Sequence, residues 1–480
     1  MPIRSSLFKH AWIIQSAPPP PQVTPVDAAG GASVRFSPAW DLLCMQEFLL
    51  ERTGHTCRLI DTRCYETIDA ALNQLNEPPD PRATQVAVIH ATQNTMESAA
   101  GIAAIIKKQY PHVITIMCGP LSTSFPEVIG YLPDFDFGLA GDSEVILRNL
   151  LEFLDIEHRL KLVPGLIIPG KISKGPHWVK DLSSLSLPEW YRIDWHPYLN
   201  AHNIRGIRVE ARISRGHPGT RQDFPWPSPD EPFRIWPLQP LAQLMQKCSG
   251  HGISEIFFTD PPGCWTTEAL TSWNRHLKTL RNTQPWAFQM MPRHIPVELM
   301  SELAGNACRR IEFIIPSCND ELCKKLGIEL TDRELMAMFA SLKKLNINPQ
   351  IKYWVHGPGE AGGEVSRLLQ HIRSMGYPSL SIYPFPLHHD SLLYRELHGK
   401  VKNTAPFSSW IEWAQHPDQS TPPPPCWGGA TGVQECNEII QTLHRKLKRN
   451  PWRKLKRMIG VITGKRGSIG FSDHTSPGTN

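Results

Sequence analysis

The sequence lacks the patterns that would place it across a membrane, in the secretory pathway or on a nucleic acid. No apolar run reaches the ~18 residues of a membrane span. The N-terminus has only a short apolar stretch before a run of prolines, so no signal peptide is expected. The net charge of +5 over 480 residues is too mild to argue for nucleic-acid binding.

Paired cysteines are also missing. The chain has 11 cysteines, an odd number, and none of them forms a C-x-x-C pair. This usage is typical of a reducing compartment, so we expect a cytoplasmic protein. Cys318 and Cys323 are the closest pair, and their spacing fits no common metal signature, so we expect no metal site there.

Strand-like and helix-like segments alternate through the first third of the chain. The strands are predicted at residues 10–17, 57–61, 85–90, 113–118 and 135–140. The helices are predicted from Ser37-Pro38 to Gly54 and at residues 67–75, 96–110, 126–131 and 143–153. This alternation predicts a doubly wound parallel sheet, whose ligands lie beyond the carboxyl ends of the strands.

A second β/α series follows a connection rich in Pro, Gly and Ser at residues 162–198. Its strands are predicted at 207–213, 255–259, 286–291, 309–315, 350–355 and 380–383. Its helices are predicted near 240–248, 267–280, 296–303, 332–345 and 364–375. Right-handed crossovers would place all six strand tops on one face of a barrel-like sheet.

The stretch at residues 207–227, IRVEARISRGHPGTRQDFPWP, opens this second series. It begins as a strand and breaks into the turn-prone run Ser214-Arg215-Gly216-His217-Pro218. A strand that ends in such a loop, at the top of a repeating β/α unit, is where a barrel fold places chemistry.

This stretch resembles the signature of radical S-adenosylmethionine (SAM) enzymes in their cobalamin-binding branch. That signature reads S-R-G-C-P with two further cysteines in C-x3-C-x2-C spacing, and its thiolates hold a [4Fe–4S] cluster that binds SAM. Ser214, Arg215, Gly216 and Pro218 match, but the cysteine positions are His217, Arg221 and Phe224. Arginine and phenylalanine cannot replace a thiolate on iron. The resemblance therefore implies a degenerate site, and we expect no cluster held by the usual ligands.

The N-terminal third resembles the cobalamin-binding domain of the same branch. The resemblance rests on a proline-rich loop after the first strand, the run E-R-T-G-H, C-G-P after the fourth strand and G-D-S-E at 141–144. It implies cobalamin contacts at Gln15, Ser16, Thr92, Gln93, Gly119, Pro120, Gly141 and Glu144. The D-x-H-x-x-G motif is missing, so a bound cobalamin would lack a protein histidine on cobalt. A different nucleotide-like ligand, or none, is the alternative.

The family's SAM-contacting positions are mixed in this chain. Phe257-Phe258-Thr259-Asp260 fits the F-F-x-D pattern, whereas Pro316-Ser317-Cys318 replaces the usual E-S-G. The implied SAM-like set is Arg215, Gly216, Asp260, Ser317, Gly357 and Gly359. Scaffold positions are kept and cofactor positions are altered, which is typical of a degenerate active site.

Histidines and carboxylates near the proposed site offer one further hypothesis. The side chains that could converge on a divalent metal are His217, His388, His389, Asp223 and Asp260. Because 20 histidines are scattered through the chain, we favour loop roles for these residues and predict no metal site. No residue is identifiable as catalytic.

Five regions are expected along the chain. They are a cobalamin-binding-like domain at 8–158, a linker at 159–203, a radical-SAM-like partial barrel at 204–400, a helical extension at 401–463 and a disordered tail at 464–480. The extension carries a basic segment at 444–458, which could contact an anionic membrane or the acidic face of a partner. A solvated helix packed on the barrel is the favoured interpretation.

Two functional hypotheses follow from the resemblance. The first is a non-catalytic protein that acts as a cobalamin-binding or partner subunit, paired with an intact radical SAM homologue or another protein. The second is a methyltransferase-type enzyme that uses cobalamin, SAM or both without the cluster's radical chemistry. The substrate, whether a small molecule or a lipid, is not readable from the residues.

Overall fold

The computed structural model of the 480-residue chain describes most of the first 355 residues and one later strand. The described residues are 9–16, 26–27, 38–74, 84–92, 95–170, 175–198, 207–218, 231–249, 251–316, 323, 328, 330–355 and 379–384. The predicted helix at 364–375, the basic segment at 444–458 and the tail at 464–480 lie outside these residues. Among the described helices, none has the length and apolar character needed to cross a membrane.

The first sheet has six strands in the spatial order β3-β1-β4-β5-β6-β7. The strands are β1 (Lys9–Gln15), β3 (Thr56–Asp61), β4 (Thr84–His90), β5 (Ile114–Cys118), β6 (Phe137–Leu139) and β7 (Leu166–Ile167). All neighbours are parallel except the last pair, β6 and β7. The strand order reverses between β1 and β4, which confirms the predicted doubly wound sheet and sets its ligand-binding crevice at their carboxyl ends.

Helices cover both faces of this sheet. They are α1 (Trp40–Thr53), α2 (Ile68–Leu72), α3 (Met96–Gln109), α4 (Pro120–Ser124), α5 (Ser143–Phe153) and α6 (Glu157–Leu160). Because successive strand residues point to opposite faces, Ala11 and Ile13 join a core with α1 and α5. Trp12 and Ile14 join the opposite core with α3. Nearly continuous apolar strands, buried on both faces, are what a parallel sheet requires.

The second sheet is open and has seven strands in the order β2-β15-β14-β13-β12-β11-β8. The strands are β2 (Val26–Asp27), β8 (Ile207–Ala211), β11 (Ile253–Phe258), β12 (Trp286–Met290), β13 (Cys308–Pro316), β14 (Asn348–Val355) and β15 (Ser379–Pro384). The six long strands are parallel, and β2 adds to β15 in the antiparallel sense. The six predicted strands are confirmed, and β2 had no sequence signal.

One face of the second sheet is apolar and lies under α7 (Leu238–Cys248), α8 (Thr267–Thr279), α9 (Val297–Gly305) and α10 (Asp332–Lys344). Helix α10 starts with a capping box between Thr331 and Glu334, and buries Leu335, Met338, Phe339 and Leu342 as its spacing predicts. The other face carries buried polar side chains, namely Glu255, Gln289, Arg310 and Glu312.

Two of the element boundaries that differ from the prediction are explained by side-chain hydrogen bonds. The helix expected from Ser37-Pro38 begins at Trp40, because the Gln15 side chain accepts a hydrogen bond from the Ala39 amide at 2.9 Å and holds that residue outside the helix. The strand expected to reach Ile213 ends at Ala211, since the Asp260 carboxylate takes the Ile213 amide. Strand β7 lies within the predicted linker, and the boundaries of the five regions stay a prediction.

Candidate functional site

A cavity of about 310 Å³ lies where the carboxyl end of the first sheet meets the top of the second. On the first-sheet side its lining includes His90, Cys118, Gly119, Pro120, Gly141 and Glu144. On the second-sheet side it includes Arg212, Ser214, Arg215, Gly216, His217, Thr259 and Gln289. Residues implied as cobalamin contacts and residues of the S-R-G-H-P loop therefore face the same cavity.

Asp260 fixes the start of the S-R-G-H-P loop. Its carboxylate is fully buried and accepts hydrogen bonds from the amides of Ile213 (2.9 Å) and Ser214 (2.8 Å) and from the Ser214 hydroxyl (2.7 Å). Burial raises the pKa of Asp260 to about 6, although these donors and Arg212 oppose the rise. The carboxylate of Asp260, which belongs to the implied SAM-contacting set, therefore binds the backbone of the loop.

Gly216 packs closely against the backbone of Glu231 and Pro232. Its φ is +74°, a left-handed value that favours glycine, and a Cβ added here would lie 2.3 Å from the Pro232 carbonyl oxygen. Just beyond Pro232, β10 (Arg234–Ile235) pairs antiparallel with β9 (Ser214–Arg215). A side chain at position 216 would push this cover away from the loop.

Arg215 crosses from the loop to the first sheet. Its guanidinium binds Asp142 at 2.9 Å and makes two hydrogen bonds with the Glu144 carboxylate. The Arg215 side chain is 7% exposed, and those of Asp142 and Glu144 are 0% and 2% exposed. Burial alone would lower the pKa of Arg215, but the Glu144 and Asp41 carboxylates raise it well above its usual value. The pairs therefore join the two sheets through buried, charge-assisted hydrogen bonds.

Further ion pairs extend this contact into what we call the inter-sheet cluster, made of Arg212, Arg215, Arg234, Asp41, Asp142, Glu144 and Glu231. Arg234 binds Asp142 at 2.5 Å and Glu231 at 2.9 Å. Arg212 binds Asp41, at the start of α1, at 3.2 Å. The cluster has one more carboxylate than guanidinium groups, and burial raises the pKa of Glu231 to about 7.

The glycines implied as cobalamin contacts are covered by the chain itself. A Cβ at Gly119 (φ +101°) would lie 2.7 Å from the His90 ring. A Cβ at Gly141 (φ +110°) would lie 2.1 Å from the His177 carbonyl oxygen, where the two residues form a β-bridge. Burial lowers the pKa of His90 to about 4, so its ring is neutral at physiological pH.

The remaining implied contacts divide into two groups. Gln15, Ser16 and Thr92 lie at the ends of β1 and β4 and bind their own chain, with Ser16 donating to the His90 carbonyl at 2.5 Å and the Thr92 amide donating to Thr95 at 2.9 Å. Positions outside the described residues are Gln93, Arg221, Phe224, Ser317, Gly357 and Gly359. His388, His389 and Asp223 lie outside them too.

Sequence reasoning missed most of the inter-sheet cluster. Asp142 stands inside the G-D-S-E run and could have been found there, whereas Asp41, Arg212, Glu231 and Arg234 belong to no motif. Apart from the Glu231–Arg234 pair, which is three residues apart, their partners are far away in the sequence, so only the fold brings them together.

Comparison with known proteins identifies the architecture. No family model and no curated protein matches the sequence. Among solved structures, the radical SAM methyltransferase TsrM from Kitasatospora setae, with tryptophan substrate and a SAM analogue bound, matches with a TM-score of 0.59 and 14% identity, over 82% of this chain and 76% of that one. The cobalamin-dependent radical SAM enzyme OxsB with aqua-cobalamin matches with a TM-score of 0.56 and 15% identity, over 84% of this chain and 56% of that one.

The chain has the fold of the cobalamin-dependent radical SAM enzymes. It spans three quarters of TsrM and little more than half of OxsB. At these identities the likeness concerns the fold, so the cofactors of TsrM and OxsB must be tested against this chain's own residues.

The donor set does not fit a [4Fe–4S] cluster. The three positions that the resemblance assigns to cluster cysteines, His217, Arg221 and Phe224, carry an imidazole, a guanidinium and a phenyl ring instead of thiolates. In the described part of the chain, no three His, Cys, Asp or Glu side chains are placed to hold a metal ion. Cys118 and Cys264 lie near the loop, but burial raises the pKa of both thiols and keeps them protonated.

The described residues do not fit a whole corrinoid in this arrangement either. The cavity of about 310 Å³ lies at the low end of the ~300–1,000 Å³ range for drug-sized ligands, and a corrinoid is far larger than such ligands. The space beside Gly119 is occupied by the His90 ring and the space beside Gly141 by the His177 backbone, and Glu144 is bound by Arg215.

Proposed function

We propose that this protein is a non-catalytic partner subunit built on the cobalamin-type radical SAM fold. The observation that carries the proposal is the use of the S-R-G-H-P loop: Ser214, Arg215 and Gly216 are all engaged in holding the chain together. A cluster cannot be held by His217, Arg221 and Phe224, so reductive cleavage of SAM should be absent. An intact radical SAM homologue, or another protein, is the predicted partner.

The sequence also predicts a cobalamin-binding role for such a subunit. Arg215, Asp142 and Glu144 line the cavity, so a corrinoid larger than the cavity would compete with the pairs between them. For this reason the geometry favours the partner role over the cobalamin-binding role.

A second candidate is a methyltransferase-type enzyme that works without the cluster. The observation in its favour is the cavity itself, which is large enough for a ligand of drug size and has charged groups of both signs in its lining. SAM as a simple methyl donor belongs to this hypothesis, and peripheral membrane contact through 444–458 would be compatible with a lipid substrate. A methyl-transfer assay with labelled SAM decides it, since a non-catalytic subunit should transfer no label.

The central test is anaerobic purification, reconstitution with iron and sulfide, and assay of SAM cleavage. We expect no bound cluster and no 5′-deoxyadenosine from the unaltered chain. The matched control is the triple variant His217→Cys/Arg221→Cys/Phe224→Cys, which restores the C-x3-C-x2-C spacing in the same loop. Iron bound by the triple variant and not by the unaltered chain supports the proposal. About four irons per unaltered chain, with SAM cleavage, would overturn it.

A further inference from the structure

The inter-sheet cluster lies between the two regions that, by the resemblance, would face a shared cofactor. Asp142 and Glu144 follow β6 at the carboxyl end of the first sheet, and Arg215 follows β8 at the top of the second. Asp41, at the start of α1, is a third carboxylate that Arg215 meets, at 3.3 Å, but it keeps 39% of its side chain exposed. The contact is therefore centred on Arg215.

Several elements are fixed around this one guanidinium. Arg215 also lies over the Trp236 ring at 5.8 Å, and Trp236 packs edge-on against Trp40 at the start of α1. Asp142 accepts from Arg234 and from the Val179 amide at 2.6 Å as well. Asp142 therefore has a second anchor, and separating the sheets would leave buried charged groups unpaired, which is strongly unfavourable.

We infer that Arg215 and its partners form a permanent clamp that takes the place of a corrinoid between the two sheets, so that this cleft admits no corrinoid. The inference deepens the proposed function and rests on it, because a protein without the cluster has no reacting centre to bring to cobalt. It also explains why S-R-G survives where the thiolates do not. Serine and glycine shape the loop, and the arginine closes the cleft.

The first test uses the unaltered, full-length chain and hydroxocobalamin. Equilibrium dialysis followed by an absorption spectrum should show no retained corrinoid, with or without prior incubation in high salt. Stoichiometric retention of hydroxocobalamin would overturn the clamp. It would leave the proposal of absent radical chemistry standing, since that proposal fails only if iron is bound and SAM is cleaved.

The second test is hydrogen exchange in Arg215→Ala, with Arg310→Ala as the matched control. Arg310 is also a buried arginine paired with two carboxylates, but Glu255 and Glu312 belong to its own sheet. In Arg215→Ala, the amides of 214–216 and of 141–144 should both exchange at least tenfold faster, and in Arg310→Ala neither segment should change. Faster exchange in 214–216 alone would overturn the inference. Should Arg215→Ala fail to fold, the dialysis experiment still decides.

Discussion

Two buried arginines in this protein have nearly the same surroundings and different tasks. Arg215 and Arg310 are 7% and 5% exposed, Arg215 pairs with three carboxylates and Arg310 with two, and each lies over an aromatic ring, Trp236 at 5.8 Å and Phe257 at 4.5 Å. The carboxylates of Arg310 come from β11 and β13 of its own sheet. Those of Arg215 come from the other sheet. The same chemistry thus stabilises one sheet in the first case and joins two in the second.

Under the proposed function, the difference gives a reason for the loop to hold an arginine without a cluster. Arg310 pairs with Glu255 and Glu312 on the polar face of its own sheet. Arg215 stands in a loop whose sequence resembles a cluster-binding motif, yet its bonds run to protein carboxylates.

Removing either arginine alone should have the largest effect. Breaking a buried pair by deleting one partner typically costs about 3–5 kcal/mol, because the other charge is left uncompensated. We expect Arg215→Met and Arg310→Met each to lower the free energy of unfolding by about this amount in urea denaturation. The double variant Arg215→Met/Glu144→Gln, which leaves Asp142 paired with Arg234, should recover much of the loss. No recovery would mean that the charges are not the source of the stability.

Replacing Gly216, in the S-R-G-H-P loop, should have the next largest effect on stability. Gly216 and Gly252 have similar φ values, +74° and +76°, so alanine is strained at both positions. Around Gly252 the nearest atom to an added Cβ is Ile207 Cδ1 at 4.0 Å, whereas at Gly216 the Pro232 carbonyl oxygen lies at 2.3 Å.

We therefore expect Gly216→Ala to destabilise the protein by about 2 kcal/mol more than Gly252→Ala, because the backbone cover must move as well. Thermal and urea unfolding of the two variants, side by side, measure this difference. Equal losses would show that the returning chain at Glu231–Pro232 does not press on the loop.

The sheets and the loop at 214–218 could be predicted from the sequence, whereas the contacts of the inter-sheet cluster could not. The sheets followed from hydrophobic periodicity, as in α10, where the spacing of Leu335, Met338, Phe339 and Leu342 marks the buried face. The loop at 214–218 was found because a strand pattern stops there. The inter-sheet cluster could not be predicted, because Arg215 meets Glu144 71 residues away and Arg234 meets Asp142 92 residues away. Only the fold brings residues so far apart in the sequence into contact.

The pH dependence of the protein's stability should show a smaller effect, which comes from Glu231 in the inter-sheet cluster. The pKa of Glu231 is raised from 4.5 to about 7 by burial, so the folded chain binds more protons than the unfolded chain in that window. Stability should therefore fall as pH rises from about 4.5 to about 7 on account of this group. His90, with its pKa lowered to about 4, contributes in the opposite sense up to its ordinary value of 6.5.

Comparison with a variant isolates the Glu231 contribution. Urea midpoints across the window should fall less steeply for Glu231→Gln than for the unaltered chain, while Glu298→Gln, on the exposed side of α9, should leave the slope unchanged. Identical slopes for all three proteins would remove Glu231 from the clamp.

The most direct test of the account is a double-mutant cycle between Arg215 and Glu144. The four proteins are the unaltered chain, Arg215→Met, Glu144→Gln and the double variant, and the free energy of unfolding is measured for each. A control cycle pairs Arg215 with Glu312, which lies in the other cluster and should show no coupling. The account predicts a coupling of about 2–3 kcal/mol between Arg215 and Glu144. A coupling indistinguishable from the control cycle would contradict it.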